Sequence, residues 1–265
     1  MEELAATLRQ PYFVWWAGAA RAMTAILRAA PDAEQQAFAG FQVGTASGQP
    51  DAKSVFGAQL SEIRRIQGRY GELLDAILAN VEAQPHIPAW RASLAWLYCE
   101  TDRPDEARKQ LHVLAGDGFA IPLHWTWSSS MLILAEVCAD LRDGKSAILL
   151  YPRLKPLAGQ IGTIVNIVLC YGSLAYPCGL LASALELWDE AEHHFTQALA
   201  INERIAARAF LVRTRRGFAR MLLDRGRPGD AVRARDLIAA ASLEAAQFGM
   251  KRELLRLGRL RERVG

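Results

Sequence analysis

The sequence predicts an all-α protein: an α-solenoid of about six helical hairpins, occupying residues 1–265 as a single domain. Three observations predict it. A small or apolar residue marks the second helix of each hairpin, at Ala33, Leu73, Ala107, Ala147, Ala191 and Ala234, with gaps of 40, 34, 40, 44 and 43. Apolar residues recur three and four apart around these marks, which is one face of a helix. Turn-forming clusters separate the two halves of each hairpin. The chain is 51% hydrophobic and holds 31 Gly and Pro in 265 residues, so it can bury a large core and does not read as disordered.

Each element follows in order. The first hairpin holds Phe13 to Leu27 and Asp32 to Phe41, and residues 42–54 read as a loop. The second runs from Val55 to Gln67, turns at Gly68, Arg69 and Tyr70, and continues from Glu72 to Ala83. In the third, Pro88 suits a first helical turn, Leu94, Ala95 and Tyr98 face inward, residues 102–105 turn, and Ala107, Leu111 and Leu114 pack back. The fourth has Leu134, Ala135 and Cys138, a turn at Asp143-Gly144, then Ala147 and Tyr151, with Pro152 and Pro156 making its second helix irregular. In the fifth, Gly179 and Ala182 share a helix and Ala191, Phe195 and Ala198 share the next; small residues at Gly179 and Ala191 let the two helices approach closely, with Phe195 filling the space beside them. The sixth has Ala219, a turn over 226–230, then Ala234, Ile238 and Ala241, and Gly249 ends it. Residues 249–265, with leucines at 254, 255, 257 and 260, read as a capping helix or as the start of a further segment.

The fifth hairpin resembles a tetratricopeptide repeat: a small residue, an alanine twelve positions on, an aromatic four further and an alanine three further. A wider likeness rests on PAWRASLAWLYCETDRPDEAR (88–108), LILAEVCADLRDGKSAILLYPRLKPLAG (132–159), residues 181–215 and LLDRGRPGDAVRARDLIAAA (222–241). These are similar to the C-terminal helical-repeat region of large bacterial signalling proteins, over residues 10 to 250. In that family an AAA-type or STAND-type ATPase module precedes the repeats, and some members carry a cyclase domain or a LuxR-type helix-turn-helix. The resemblance implies a sensing or relay role, with an ATPase or cyclase module of the same system as partner. Neither neighbour is in this sequence, which reads as a fragment, a split gene product or a stand-alone relative.

Chemistry is not evident. There is no phosphate loop, no GxSxG and no HExxH. The expectation is a non-catalytic chain without cofactor or metal. His193 and His194 are adjacent on a helix and point about 100° apart, which rules out an i, i+4 metal pair. Asp105-Glu106 and Asp189-Glu190 sit at helix starts, where they suit the helix dipole. Cysteines 99, 138, 170 and 178 lie in apolar stretches and read as buried free thiols of a reducing, cytoplasmic compartment. No signal peptide opens the chain. Residues 158–185 carry no charge, but Asn166, Pro177 and four glycines interrupt them, so they read as a loop and a buried helix rather than a membrane span.

Charge is uneven. From Arg204 to the end there are 16 Lys and Arg against 6 Asp and Glu, a balance of +10; residues 1–203 hold 15 against 22, a balance of −7. Arg213, Arg216 and Arg220 share a helix face, which in tetratricopeptide-like arrays lines the concave groove. They read either as a site for carboxylates or phosphates, or as a solvated face paired with Glu190 or Glu192. Trp125 and Trp127 lie on a loop edge and are candidate peptide anchors. The leading function is a protein- or peptide-binding regulatory module. The alternative is nucleic-acid or acidic-ligand binding through the basic third, against which no helix-turn-helix, zinc site or RNA motif is found.

Overall fold

A computed structural model describes residues 7, 10–165 and 167–264. Its described residues form thirteen α-helices, two short 3-10 turns and one two-stranded sheet. In chain order the helices are α1 (Pro11–Leu27), α2 (Ala33–Ala46), α3 (Ala52–Ile66), α4 (Leu74–Ala83), α5 (Pro88–Glu100), α6 (Pro104–Ala115), α7 (Trp127–Leu141), α8 (Gly144–Leu154), α9 (Ala175–Ala184), α10 (Trp188–Arg204), α11 (Arg208–Arg225), α12 (Asp230–Gln247) and α13 (Lys251–Glu262). Strands β1 (Ile161–Ile164) and β2 (Leu169–Ser173) lie between α8 and α9. No described helix is long and apolar enough to cross a membrane.

The helix ends follow from local chemistry. Prolines open α1, α5 and α6, where a missing N–H costs nothing. Asp143 caps α8 by accepting from the Ser146 N–H at 3.0 Å. One backbone turn then recurs. After α1, α3, α5, α7 and α9 an amide bonds back five residues: Ala30 to Ala25, Arg69 to Arg64, Arg103 to Tyr98, Asp143 to Cys138 and Leu187 to Ala182, all at 2.7–2.9 Å. That closure needs one left-handed residue. Here it is Ala29, Gly68, Asp102, Arg142 or Glu186, so four of the five accept the strain without being glycine.

Helix contacts extend the pattern. α5 packs with α6, α7 with α8, α9 with α10 and α11 with α12. The first members also pack on one another, α5 on α7, α7 on α9 and α9 on α11. The register residues Ala107, Ala147, Ala191 and Ala234 are all fully buried, as are Phe195, Ala198 and Ala219, and Tyr98 is 8% exposed. At Gly179 and Gly217 an added Cβ would come within 3.0 Å of the Phe195 ring. Phe195 is therefore held between α9 and α11 by two glycines.

Several expectations are corrected. Residues 42–54 are mostly helical, since α2 runs to Ala46 and α3 begins at Ala52. The irregularity expected at Pro152 and Pro156 is present: Pro152 lies inside α8, and a 3-10 turn holding Pro156 follows over Lys155–Leu157. α4 makes its main contacts with α5 and the 3-10 turn at Tyr70–Leu73, so the second hairpin is splayed. The uncharged stretch 158–185 is an antiparallel hairpin and a ten-residue helix, not a loop and a helix. Ser173 donates its N–H to Asn202 Oδ1 at 2.8 Å, and Asn202 Nδ2 donates to Thr214 Oγ1 at 3.2 Å, which ties the hairpin to α10 and α11. Gln59 Nε2 donates to the carbonyls of Ala19 (2.9 Å) and Val168 (3.0 Å), joining α1, α3 and the segment before β2.

Candidate interaction surface

α3 and α13 come from opposite ends of the chain and both lie against α5, α7 and α11. Where they meet, five arginines and five carboxylates pair. Arg65 of α3 sits among three acids: Nη2 is 2.5 Å from Glu136 Oε2, Nε is 3.2 Å from Glu100 Oε1, and Nη1 is 3.9 Å from Glu62 Oε2. The Trp96 ring lies 3.7 Å beneath its guanidinium. Arg213 Nη1 is 2.6 Å from Glu62 Oε1, but off the line of its N–H bonds, so neither atom is hydrogen bonded. Arg216 Nε donates to Glu253 Oε2 at 2.6 Å. Arg256 reaches Glu100 Oε1 and Asp140 Oδ2, each at 3.1 Å, and Glu253 Oε1 at 3.5 Å. Arg220 Nη1 is 3.5 Å from Asp140 Oδ1.

Burial makes these pairs matter. Glu62, Arg65, Glu136, Arg213, Arg216 and Glu253 are all at most 5% exposed. A buried ion loses its hydration and must recover that loss from its partners. Burial alone would raise the Glu100 carboxyl, yet Arg256, Arg65 and Arg213 outweigh it and hold the group at about 2. Glu253 is likewise lowered against its burial, by Arg216, Arg256 and Arg213. Glu136 goes the other way: burial wins over Arg65, Arg213 and Arg216, and its carboxyl is raised. Burial would lower Arg65, but Glu136, Glu100 and Glu62 raise it, and it does lower Arg220. Such an arrangement suits clamping elements together and supplies no solvated acid or base.

The arginines predicted as a site, Arg213, Arg216 and Arg220, lie on α11 against other helices and do not form a solvated face. Their partners are Glu62, Glu253 and Asp140, not Glu190 or Glu192. Glu190 takes Lys155 at 2.6 Å and the Tyr151 hydroxyl at 2.5 Å. Glu192 takes Arg225 at 2.5 Å and Arg233 at 2.6 Å. Sequence reasoning missed the acids and missed Arg65 and Arg256. One signal was available: Glu136 is the sole charged residue in WSSSMLILAEVCA (127–139).

The two predicted tryptophan anchors separate. Trp125 is 59% exposed and its neighbour Leu123 86% exposed, while Trp127 is half-buried at the start of α7. Ser128 Oγ donates to Thr163 O at 2.7 Å, which seats β1 beside the same helix start. Among the histidines, His194 is buried with Nε2 3.0 Å from the Tyr151 hydroxyl, and His112 Nε2 is 2.8 Å from Asp143 Oδ2. The four cysteines are buried and free, and no group of three His, Cys, Asp or Glu among the described residues is placed to hold a metal ion. No protein-family model matches the sequence, and no curated protein or solved structure matches it either.

Proposed function

We propose that the chain is a tetratricopeptide-like α-solenoid of about six hairpins, α1/α2 through α11/α12 with α13 as a closing helix. We read it as a non-catalytic protein–protein interaction and regulatory module of the cytoplasm. Its partner in this reading is an ATPase or cyclase module of the same bacterial signalling system. The observation that carries the repeat reading is the packing pattern: α5, α7, α9 and α11 each pack on the helix that follows, and α5 packs on α7, α7 on α9 and α9 on α11. The same supersecondary unit, repeated with first helices in mutual contact, is what a stacked array requires.

A solenoid offers surfaces, and here the inner one is taken up by α3 and α13. The exposed loop at Leu123 and Trp125 then becomes the better candidate contact, since an indole and a leucine in water gain most from burial by a partner. The nucleic-acid reading loses its main support, because the arginine face it relied on is spent on buried carboxylates.

The test is co-purification of the full chain with the ATPase or cyclase encoded beside it, in wild type and in Leu123→Ser/Trp125→Ala. The reading expects retention of that module by wild type, loss in the double variant and an unchanged melting temperature. Equal retention by both would remove the loop from the site. Hydrolysis of ATP by the purified chain alone, abolished by a point change within it, would overturn the non-catalytic reading.

A further inference from the structure

α13 binds the rest of the chain through one stripe of arginines. Arg252, Arg256, Arg259 and Arg263 follow at spacings of four, three and four, so they share a face. Arg252 makes a two-pronged contact with Asp102, 2.7 Å on each side, and its Nη2 also donates to the Cys99 carbonyl at 3.3 Å. Arg256 joins Glu100 and Asp140, Arg263 is 2.7 Å from Asp224, and Arg259 is 3.9 Å from Asp102.

The four acids share a position in the fold. Glu100 is the last residue of α5 and Asp102 lies two positions on, Asp140 is next to last in α7, and Asp224 is next to last in α11. A helix C-terminus already carries partial negative charge, so an acid there opposes its own helix by about 0.3–1 kcal/mol. Three helices, α5, α7 and α11, each accept that cost at the same end. The result is an acidic track, built from carboxylates and helix C-termini together, that α13 covers with its basic face; Glu100 also meets Arg65, Asp140 meets Arg220 and Asp224 meets Arg142. Beside the track lies buried Arg216, which α13 satisfies with Glu253.

The contact also has an apolar part: Met250, Leu257 and Leu260 are buried, and Leu254 and Val264 are half-buried against the core. Gly249, left-handed at φ +65°, precedes them as a joint. The outer pairs of this contact, Arg252 and Arg259 with Asp102 and Arg263 with Asp224, are partly exposed and are weakened by salt, while the buried Arg216–Glu253 and Arg256–Glu100 pairs and the small-residue contacts of α9, α10 and α11 are screened far less.

We infer that α13 is an internal occupant of a docking track, and that the track's external ligand is an arginine-rich amphipathic helix of a partner protein, with one carboxylate to take Glu253's place on Arg216. This deepens the interaction-module reading by naming the partner's chemistry and a self-blocking state. The ligand competes with α13, so binding requires α13 to lift.

Hydrogen exchange on the wild-type full chain tests the lifting. Raising salt from low values to about 0.5 M is expected to speed α13 amides about tenfold and leave α9–α11 within about twofold. Exchange of α13 at the rate of α11 at both salts would overturn the inference. A labelled peptide of residues 250–264 tests the track, with the full-length Arg252→Glu/Arg256→Glu variant as receptor. Binding about tenfold tighter than to wild type is expected, and its loss on adding Asp140→Lys. No peptide binding by a variant whose α13 exchanges freely would overturn it too; should that variant fail to fold, the wild-type salt series decides. A partner captured at Trp125 by a chain whose α13 stays shut would keep the interaction reading and reject this one.

Discussion

Two contacts hold α11 in place, and they differ in kind. On one side Phe195 sits between Gly179 and Gly217, with 0% of it exposed and ring carbons 3.0 Å from where either Cβ would stand. On the other side Arg213 and Arg216 meet Glu62 and Glu253, equally buried but charged. The first contact gains from every methylene it removes from water and has no wrong partner to satisfy. The second must recover hydration lost by each ion before it contributes anything, and it fails badly if one member goes. Shape therefore supplies stability between neighbouring hairpins, while charge decides which distant elements meet.

Phe195→Ala is the largest break expected, about 4–5 kcal/mol, because two glycines and a helix face would be left around a void. Chemical denaturation measures it, and a loss under about 2 kcal/mol would mean that the site collapses to fill the space. Next comes Arg213→Met, expected to cost about 3–4 kcal/mol by leaving Glu62 buried with only Arg65, 3.9 Å away, as its cation, whereas Arg213→Met/Glu62→Leu should recover most of that. A double variant no better than the single would show that the pair contributes net stability.

Acid titration separates two carboxylates of the same cluster. Glu100 lies at about 2, below its unfolded value of 4.5, so it stabilises the fold above 4.5 and that contribution disappears as pH falls toward 2. Glu136 is raised, so it has the opposite sign: it weakens the fold as pH climbs past 4.5. Glu100→Gln should flatten the acid side of the stability profile by about 2–3 kcal/mol, and Glu136→Gln should leave stability at neutral pH unchanged or improved. Parallel profiles for both variants would contradict this assignment. The smallest effect belongs to Arg227, whose 2.7 Å pair with Asp189 is largely exposed; Arg227→Ala should stay within about 0.5 kcal/mol.

The contrast also explains what could be read in the sequence. Ala191, Phe195 and Ala198 are neighbours on one helix, so a spacing of three and four residues is enough to reveal their shared face. The turn at Asp102-Arg103-Pro104 is local in the same way. Glu62 and Arg213 are 151 positions apart, and only the folded path of the chain brings them together. Each looks like an ordinary surface residue of an amphipathic helix. The hairpin at Ile161–Ser173 escaped notice for another reason: β2 is buried on both faces, so it lacks the alternation by which a strand is recognised. The charge imbalance between the basic end and the acidic remainder was visible, and its use is largely internal, in the pairing of α11 and α13 with Glu62, Glu100, Asp102 and Asp140.

Arg65 and Glu62 emerge from the ribosome about 150 residues before Arg213 and longer still before Glu253 and Arg256. Hairpins such as α5/α6 can close as soon as they are made, since their contacts are local and inexpensive in loop entropy. The carboxylates of α3 and α5 must stay hydrated meanwhile, and bury only when α11 and α13 arrive. A nascent chain stopped before α11 would keep these acids in water and remain open at its inner face, within reach of proteases. The ion cluster is thus complete only once α13 has been translated.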